Sequence, residues 1–278
     1  MDRIPFGIRR LDSTIGGGAP AGSVVLVSGE AGAGAREFLY TSAVMNGLVE
    51  GAPDLFDLYY GSVDATAAAP AEVHYLSFTS DERQVREEMT LTLDDEMVDA
   101  TADELRFHDL AAEYFRLSPV PREWYGARTA SVAELGSTED RTSVAEALGN
   151  QLTENAAGNL VVLDSITDLV TASGGELAWA DVPVILKGIS RAAFDWNALI
   201  LAHVNHETLT EREHGQLIDA ADGTLLFEWE SGGSARARTM VVKQFRGVLS
   251  RIEEEDIVRF ETEIGDAGFD ISDVRKIR

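Results

Sequence analysis

The chain has 278 residues with no cysteine, and its 48 acidic and 23 basic residues give a net charge of −25. A hydrophobic content of 45% with only 7 prolines is typical of a globular protein and not of a disordered one. The lack of cysteine excludes disulfides, thiolate metal sites and cysteine nucleophiles. Because no apolar run has the roughly 18 residues of a membrane span and no signal-peptide pattern is present, we expect a cytoplasmic protein.

The excess of acid has two interpretations. A halophilic protein carries a solvated acidic surface whose self-repulsion is screened by salt, whereas another acidic protein meets a basic partner. The acids are spread along the whole chain, which favours a halophilic, haloarchaeal protein. A surface of this sign repels the phosphate backbone, so nucleic acid is not an expected partner.

Predicted strands and helices alternate through the first part of the chain. Apolar runs predict strands at Ser23–Ser28, Val73–Phe78, Leu160–Asp164 and Ala198–Val204. Helical patterns lie at Arg36–Leu48, Asp81–Leu91, Val144–Glu154 and Pro183–Trp196. Three of the four strands are largely continuous apolar runs, which is typical of strands buried on both faces. The alternation therefore predicts an α/β fold with a parallel sheet.

The pattern changes after residue 220, where extended segments follow one another with almost no helix between them. These are Gly223–Trp229, Thr239–Phe245 and Ile257–Thr262, with a hairpin loop predicted at Ser231–Ser234. The sheet is therefore expected to end in antiparallel strands. Stretches near 50–70 and 119–140 are predicted to be loops or insertions within a single domain, 1–278.

A glycine-rich loop joins the first long strand to the first long helix. Residues 29–36 have the sequence Gly-Glu-Ala-Gly-Ala-Gly-Ala-Arg, with the spacing of the phosphate-binding Walker A loop, G-x-x-x-x-G-K-[ST]. Such glycines let successive N–H groups converge on an anion at a helix N-terminus. The cofactor-binding candidates are Gly29, Gly32, Ala33, Gly34, Ala35 and Arg36. The alternative is a loop that merely links strand to helix.

Two side chains of this motif are replaced. Ala35 stands where a lysine contacts the β- and γ-phosphates, and Arg36 stands where a hydroxyl ligates Mg²⁺. ATP is the expected cofactor if one is bound, and Mg²⁺ is not expected. Asp164 ends an apolar strand as in the Walker B motif, which places a carboxylate beside the metal, and it joins the cofactor-binding candidates. Asp168 is expected to be a surface or capping residue.

The segments Arg3–Asp12 and Gly16–Ser23, which lead directly into the glycine-rich loop, resemble the opening of KaiC-like proteins. These are RecA-superfamily ATPases related to the archaeal recombinase RadA. The resemblance continues through Tyr75–Phe78, Leu163–Ser165 and Lys243–Gly247. It implies a RecA-like P-loop NTPase fold, a mostly parallel sheet flanked by helices with antiparallel C-terminal strands, and a ring or ring-like homo-oligomer.

The departures from the family concern catalysis. Where the family carries two adjacent glutamates that polarise water, this chain has Thr79 and Ser80, neither of which is a base near neutral pH. Asp81 and Glu82 are the alternative, as a shifted pair.

The family also has a K-x-R-G segment whose Lys and Arg reach a neighbouring subunit's γ-phosphate. Here Gln244 takes the lysine position, and Lys243 points to the other face unless a bulge intervenes. Arg246 remains as a candidate trans finger or as an ordinary surface arginine. His203, His206 and His214 lie on a strand end and a predicted polar loop, and no metal site is expected from them.

We expect no catalytic residues. The favoured hypothesis is a catalytically degenerate KaiC-like protein that acts as a regulatory or scaffold module in signalling. It would bind ATP weakly or not at all and would not hydrolyse it. Its expected partners are further copies of itself and signalling proteins; a component of a motility motor is one variant. The first alternative is an active ATPase that uses Arg36 and the Asp81/Glu82 pair. The second is a recombinase-like DNA-binding protein.

Overall fold

The computed structural model describes residues 2–125, 143–171, 177–230, 237–246 and 259–274. The strands in these ranges are β1 (Arg3–Ile4), β2 (Ala19–Pro20), β3 (Ser23–Gly29), β4 (Val73–Ser77), β5 (Leu105–Asp109), β6 (Leu160–Asp164), β7 (Leu199–Asn205), β8 (Gly223–Glu230), β9 (Ala237–Phe245), β10 (Arg259–Gly265) and β11 (Gly268–Val274). The helices are α1 (Arg9–Ile15), α2 (Ala35–Gly51), α3 (Pro53–Tyr59), α4 (Glu82–Thr90), α5 (Asp95–Ala100), α6 (Ala111–Tyr114), α7 (Val144–Asn155), α8 (Ile166–Thr171), α9 (Asp181–Trp196) and α10 (Glu211–Ala220). Short 3-10 turns occupy Arg122–Trp124 and His206–Thr208.

One large sheet organises the molecule, with strand order β11-β10-β9-β8-β3-β7-β6-β4-β5. The strands from β8 to β5 are parallel, and β9, β10 and β11 extend the sheet antiparallel to their neighbours. The predicted α/β fold with a mostly parallel sheet and antiparallel C-terminal strands is confirmed. No helix of the described ranges is both long enough and apolar enough to cross a bilayer.

Helices cover both faces of the parallel strands, which is why those strands are continuous apolar runs. In β3, Val25 and Val27 join the core beneath α2, whereas Val24 and Leu26 join a second core beneath α7, α9 and α10. Because the strands are parallel, the carboxyl ends of β3, β4, β6 and β7 meet at one edge of the sheet. The glycine-rich loop and Asp164 therefore lie at the same edge.

The opening segment of the chain has a structural role. Asp12 is buried, and its carboxylate accepts hydrogen bonds from the Phe6 N–H at 2.8 Å, the Gly7 N–H at 3.0 Å and the Tyr60 hydroxyl at 3.1 Å. Gly18 has φ +114°, and a Cβ there would lie 2.2 Å from the Ile4 carbonyl oxygen. These bonds and this close approach hold β1, β2 and α1 against the core.

The prediction of a loop at 50–70 is wrong in part, because α2 continues to Gly51 and α3 follows at once. Pro53 is the first residue of α3, a position where its missing N–H costs nothing. For the stretch 119–140, residues 126–140 lie outside the described residues, as does the hairpin loop predicted at Ser231–Ser234.

The polar loop predicted around the late histidines is also wrong in part. Residues 211–220 form α10, because Thr210 and Glu213 make a reciprocal capping box at its start. The strands β1, β2, β5 and β11 and the helices α1, α5, α6 and α8 were not predicted. In β5, exposed or half-buried polar residues interrupt the apolar run, so it lacks the signal of a buried strand.

Candidate functional site

The backbone of the glycine-rich loop has the shape of an anion-binding cradle. Gly32 and Gly34 have φ +73° and +108°, values that favour glycine. Gly34 precedes α2 without any side-chain cap. The N–H groups of Ala35, Arg36 and Glu37, at the start of α2, have no protein acceptor within the described part of the chain. They are the groups that a helix N-terminus offers to an anion.

Strands β8 and β9 hold the loop from its carbonyl side. The Trp229 indole N–H donates to the Ala31 carbonyl oxygen at 3.1 Å, and the Arg238 Nε–H donates to the Gly32 carbonyl oxygen at 3.0 Å. The Arg238 guanidinium carbon lies 4.8 Å from the centre of the Trp229 ring, a cation–π contact. Both residues therefore fix the loop without using its N–H groups.

One loop N–H is already bonded to a side chain. The Ala31 N–H donates to the Glu207 carboxylate at 2.8 Å. Glu207 belongs to the 3-10 turn after β7, whose start is fixed by the Asn205 side chain accepting from the Glu207 N–H. A carboxylate of the same chain thus occupies this N–H group of the loop.

Asp164, at the end of β6, is the centre of a buried polar cluster. It is 6% exposed. Its Oδ1 lies 3.0 Å from His203 Nδ1 and 3.3 Å from an Arg36 guanidinium nitrogen, and its Oδ2 accepts from the Tyr75 hydroxyl at 2.7 Å. Burial acts to raise the pKa of Asp164, but the His203 hydrogen bond and the nearby positive charge outweigh it and hold the pKa well below its usual range.

Arg36 extends from the first turn of α2 between two carboxylates. Its guanidinium lies 3.3 Å from Asp164 and 3.9 Å from Glu88, and Glu88 also accepts a hydrogen bond from the Tyr40 hydroxyl. Burial opposes its charge, but the carboxylate of Asp164 more than compensates and raises the pKa of Arg36 above its usual value. The guanidinium is therefore a fixed cation in the site.

No protein-family model matches the sequence, and no curated protein matches it. Among solved structures, a KaiC-like protein of the hyperthermophilic archaeon Pyrococcus horikoshii OT3 is similar, with a TM-score of 0.63. The alignment covers 98% of this chain and 99% of the archaeal one, at 16% sequence identity. The fold is KaiC-like. At this identity the likeness extends to the fold alone, so the chemistry has to be argued from the residues of this chain.

At the end of β4 in this KaiC-like fold, the predicted general-base positions carry no carboxylate. Thr79 and Ser80 lie there, and the Ser80 N–H donates to the Ser77 hydroxyl oxygen at 3.0 Å. Asp81 caps α4 by accepting from the Gln84 N–H. Glu82 accepts from the Arg86 Nε–H at 2.9 Å, one turn along the same helix. Both acids have roles in α4.

Beside these residues lies an open cavity of about 750 Å³ between α4, α5 and β5. It is lined mainly by side chains of both charges, and Asp81, Glu82, Arg86, Asp99 and Asp109 are among them. The lining thus includes Asp81, which caps α4, and Glu82, which is paired with Arg86.

The late segment with Lys243 and Arg246 lies at the end of β9, away from the glycine-rich loop. In the pairing of β8 with β9, Thr224 faces Gln244 and Leu225 faces Val242, so Lys243 is the extra residue of a bulge. Val242 before the bulge and Phe245 after it are both buried although they are three residues apart, and Lys243 between them is exposed. The bulge that would alter the facing of Lys243 is therefore present.

Arg246 lies at the opposite edge of the sheet from the glycine-rich loop. Its neighbour Phe245 pairs with Gly223 at the start of β8, whereas Gly29 pairs with Phe227 farther along that strand. The Arg246 guanidinium donates to the Asp222 carboxylate at 3.0 Å. The structure thus brings together the loop, Arg36 and Asp164 but leaves Arg246 apart. Arg246 is therefore not a contact of its own loop.

Two late histidines form a cluster behind the loop. The Ser28 hydroxyl oxygen lies 3.1 Å from His206 Nδ1 and 2.8 Å from His214 Nε2, and the two rings stack with centres 5.0 Å apart. Burial first, and then the nearby His206 and Lys243, lower the pKa of His214 to about 4. In the described ranges, no three His, Asp or Glu side chains converge as a metal site would require.

Sequence analysis missed most partners of Asp164. Tyr75 and His203 lie on the two strands that flank β6, on the same sheet face as Asp164, because Tyr75 and Leu201 both pair with Val162. Both strands were predicted but their order in the sheet was not, so the available signal was a polar side chain within each apolar run. Tyr40 lies one helical turn after Arg36, a spacing that predicts a shared helix face. Asp168 is a capping residue, as predicted: its carboxylate accepts from the N–H and hydroxyl of Ser165.

Proposed function

We propose that this chain is a catalytically degenerate KaiC-like P-loop protein that acts as a regulatory or scaffold module in signalling. It binds ATP weakly or not at all, and it hydrolyses none. The cradle of backbone N–H groups supports a residual anion site. The missing lysine at Ala35 and the Glu207 carboxylate on the Ala31 N–H both weaken that site.

The proposal depends on one observation: each acid near the end of β4 is engaged in α4. Asp81 is the helix cap and Glu82 is paired with Arg86, so neither is directed as a general base toward the loop. A base has to lie within hydrogen-bonding reach of the attacking water. The alternative of an active ATPase that uses this pair has no support from the geometry.

The test is phosphate release from ATP with Mg²⁺ present. We expect the native chain to release phosphate no faster than the variant Asp164→Asn, which lacks the Walker B carboxylate. The double variant Ala35→Lys, Arg36→Thr restores the Walker A side chains, and we expect it to bind ATP at least tenfold more tightly than the native chain. Turnover by the native chain that Asp164→Asn abolishes would contradict the proposal. Loss of that turnover in Glu82→Gln and in Arg36→Ala would then identify the alternative ATPase.

We propose further that the protein is cytoplasmic and forms a homo-oligomer, with Arg246 at the boundary between subunits. The exposed position of Arg246 at the edge remote from its own loop supports this assignment. Light scattering with and without ATP measures the assembly. A monomer under both conditions would contradict the oligomer, and an oligomer unaffected by Arg246→Ala would contradict the role of that residue.

A further inference from the structure

KaiC-like ATPases use Mg²⁺ with their nucleotide, and the residues of this chain do not fit that ion. Mg²⁺ takes oxygen ligands in a close octahedron, and in P-loop proteins the loop hydroxyl and the Walker B carboxylate supply two of them directly or through water. Here the hydroxyl is replaced by Arg36. The carboxylate of Asp164 already takes part in three contacts, with Arg36, His203 and Tyr75.

We infer that the guanidinium of Arg36 takes the place of the divalent cation and excludes it from Asp164. The inference rests on the proposed function only in assigning the loop as a nucleotide site. Arg36 is then a specificity-determining residue, and any anion held by the loop is held without a metal ion.

Charge supports this assignment. The guanidinium lies 3.3 Å from Asp164 and 3.9 Å from Glu88, so it supplies the positive charge that a metal ion would otherwise bring. A divalent ion bound to the same carboxylate would lie within a few ångströms of a permanent cation, and like charges that close repel, the more so beside the buried Asp164 carboxylate. Arginine also cannot lose its proton to relieve the repulsion.

Geometry supports it as well. Arg36 is in the first turn of α2, and that helix is anchored by Phe38, whose ring packs 5.4 Å from Phe227 and 5.5 Å from Phe269. The Tyr40 hydroxyl, on the same helix face, holds Glu88 beside the guanidinium. The arginine therefore has a fixed base and acceptors on both sides.

The experiment is a titration of the full chain with Mn²⁺ alone, followed by electron paramagnetic resonance, without nucleotide. The acidic surface is expected to bind Mn²⁺ at many places. Each protein, native or Arg36 variant, is therefore compared with the same protein carrying Asp164→Asn, and only the Mn²⁺ that this second substitution removes is counted. Arg36→Thr restores the family hydroxyl, Arg36→Gln removes the charge but keeps much of the length, and Arg36→Lys is the matched control that keeps a cation. Circular dichroism checks that each variant is folded.

We expect the native chain and Arg36→Lys to have no Asp164-dependent ion, and Arg36→Thr or Arg36→Gln to gain one that binds at least tenfold more tightly. An Asp164-dependent ion in the native chain would overturn the inference, and so would folded Arg36→Thr and Arg36→Gln that gain none. Because this titration contains no nucleotide, its outcome is independent of the phosphate-release assay that tests the proposed function.

Discussion

At the scale of single residues, Asp12 has the clearest stabilising role. Its buried carboxylate is the acceptor for two backbone N–H groups and one hydroxyl, so Asp12→Ala leaves buried donors without a partner. Each such donor costs about 1–3 kcal/mol. With three donors affected, we expect the free energy of unfolding, measured by urea denaturation, to fall by at least about 3 kcal/mol.

Tyr60→Phe is the matched control for Asp12, because it removes one of the three donors and leaves the carboxylate in place. It should cost about 1 kcal/mol. Equal losses in the two variants would show that the backbone bonds of Phe6 and Gly7 contribute little.

His214 gives a second prediction at this scale, for pH. Its pKa in the folded chain is about 4, below the ordinary 6.5, so it stays neutral while the unfolded chain takes up a proton. Its contribution to stability is complete above pH 6.5 and is lost as the pH falls toward 4. We therefore expect the native chain to lose more unfolding free energy between pH 7.5 and 5 than His214→Gln does. Parallel curves for the two proteins would contradict the prediction.

At the scale of elements, the parallel strands were predictable and the polar helix was not. The ends of β3, β4, β6 and β7 fall within one residue of the predicted ones. Continuous apolar runs are typical of parallel strands covered on both faces, and the end of each run marks the end of its strand. Helix α10 has only two buried residues, so its apolar pattern is short and its capping box was the available signal.

The loop was predicted from its spacing, but the ion pair between Arg36 and Asp164 was not. The two residues are 128 positions apart, and the pair depends on the direction of a long side chain from the first turn of α2. Spacing in the sequence identifies the loop and the strand end but does not fix which side chains meet between them.

The last strand, β11, is expected to contribute as much as a central one. Phe269 is 2% exposed, and its ring packs 5.5 Å from Phe38 and 5.6 Å from Phe227. Phe269→Ala should lower the free energy of unfolding by about 3–5 kcal/mol, as removal of a buried aromatic ring does. Leu91→Ala is the control, since Leu91 is 86% exposed and should change stability by about 0.5 kcal/mol at most. A small effect at Phe269 would show that β11 is dispensable.

At the scale of the whole molecule, the net charge of −25 predicts a stability that depends on salt. Self-repulsion of a highly charged chain destabilises its compact state, and added salt screens that repulsion. We expect Tm to rise between 0.1 and 2 M KCl, by about 2–4 °C for each kcal/mol gained. Sucrose at matched osmolality separates charge screening from general stabilisation, and an equal rise in both solutes would contradict the prediction.

The bond between Glu207 and the Ala31 N–H makes occupancy of the loop a competition within one molecule. A group tethered by a short segment has an effective concentration in the millimolar range, and dilution does not change it. An incoming anion has to outcompete that internal carboxylate before it gains this N–H group. We expect small monovalent anions at low concentration not to meet this condition. A polyanion would meet it by also engaging the N–H groups at the start of α2, so in the proposed anion site the tethered acid would set a threshold on both the charge and the abundance of the ligand.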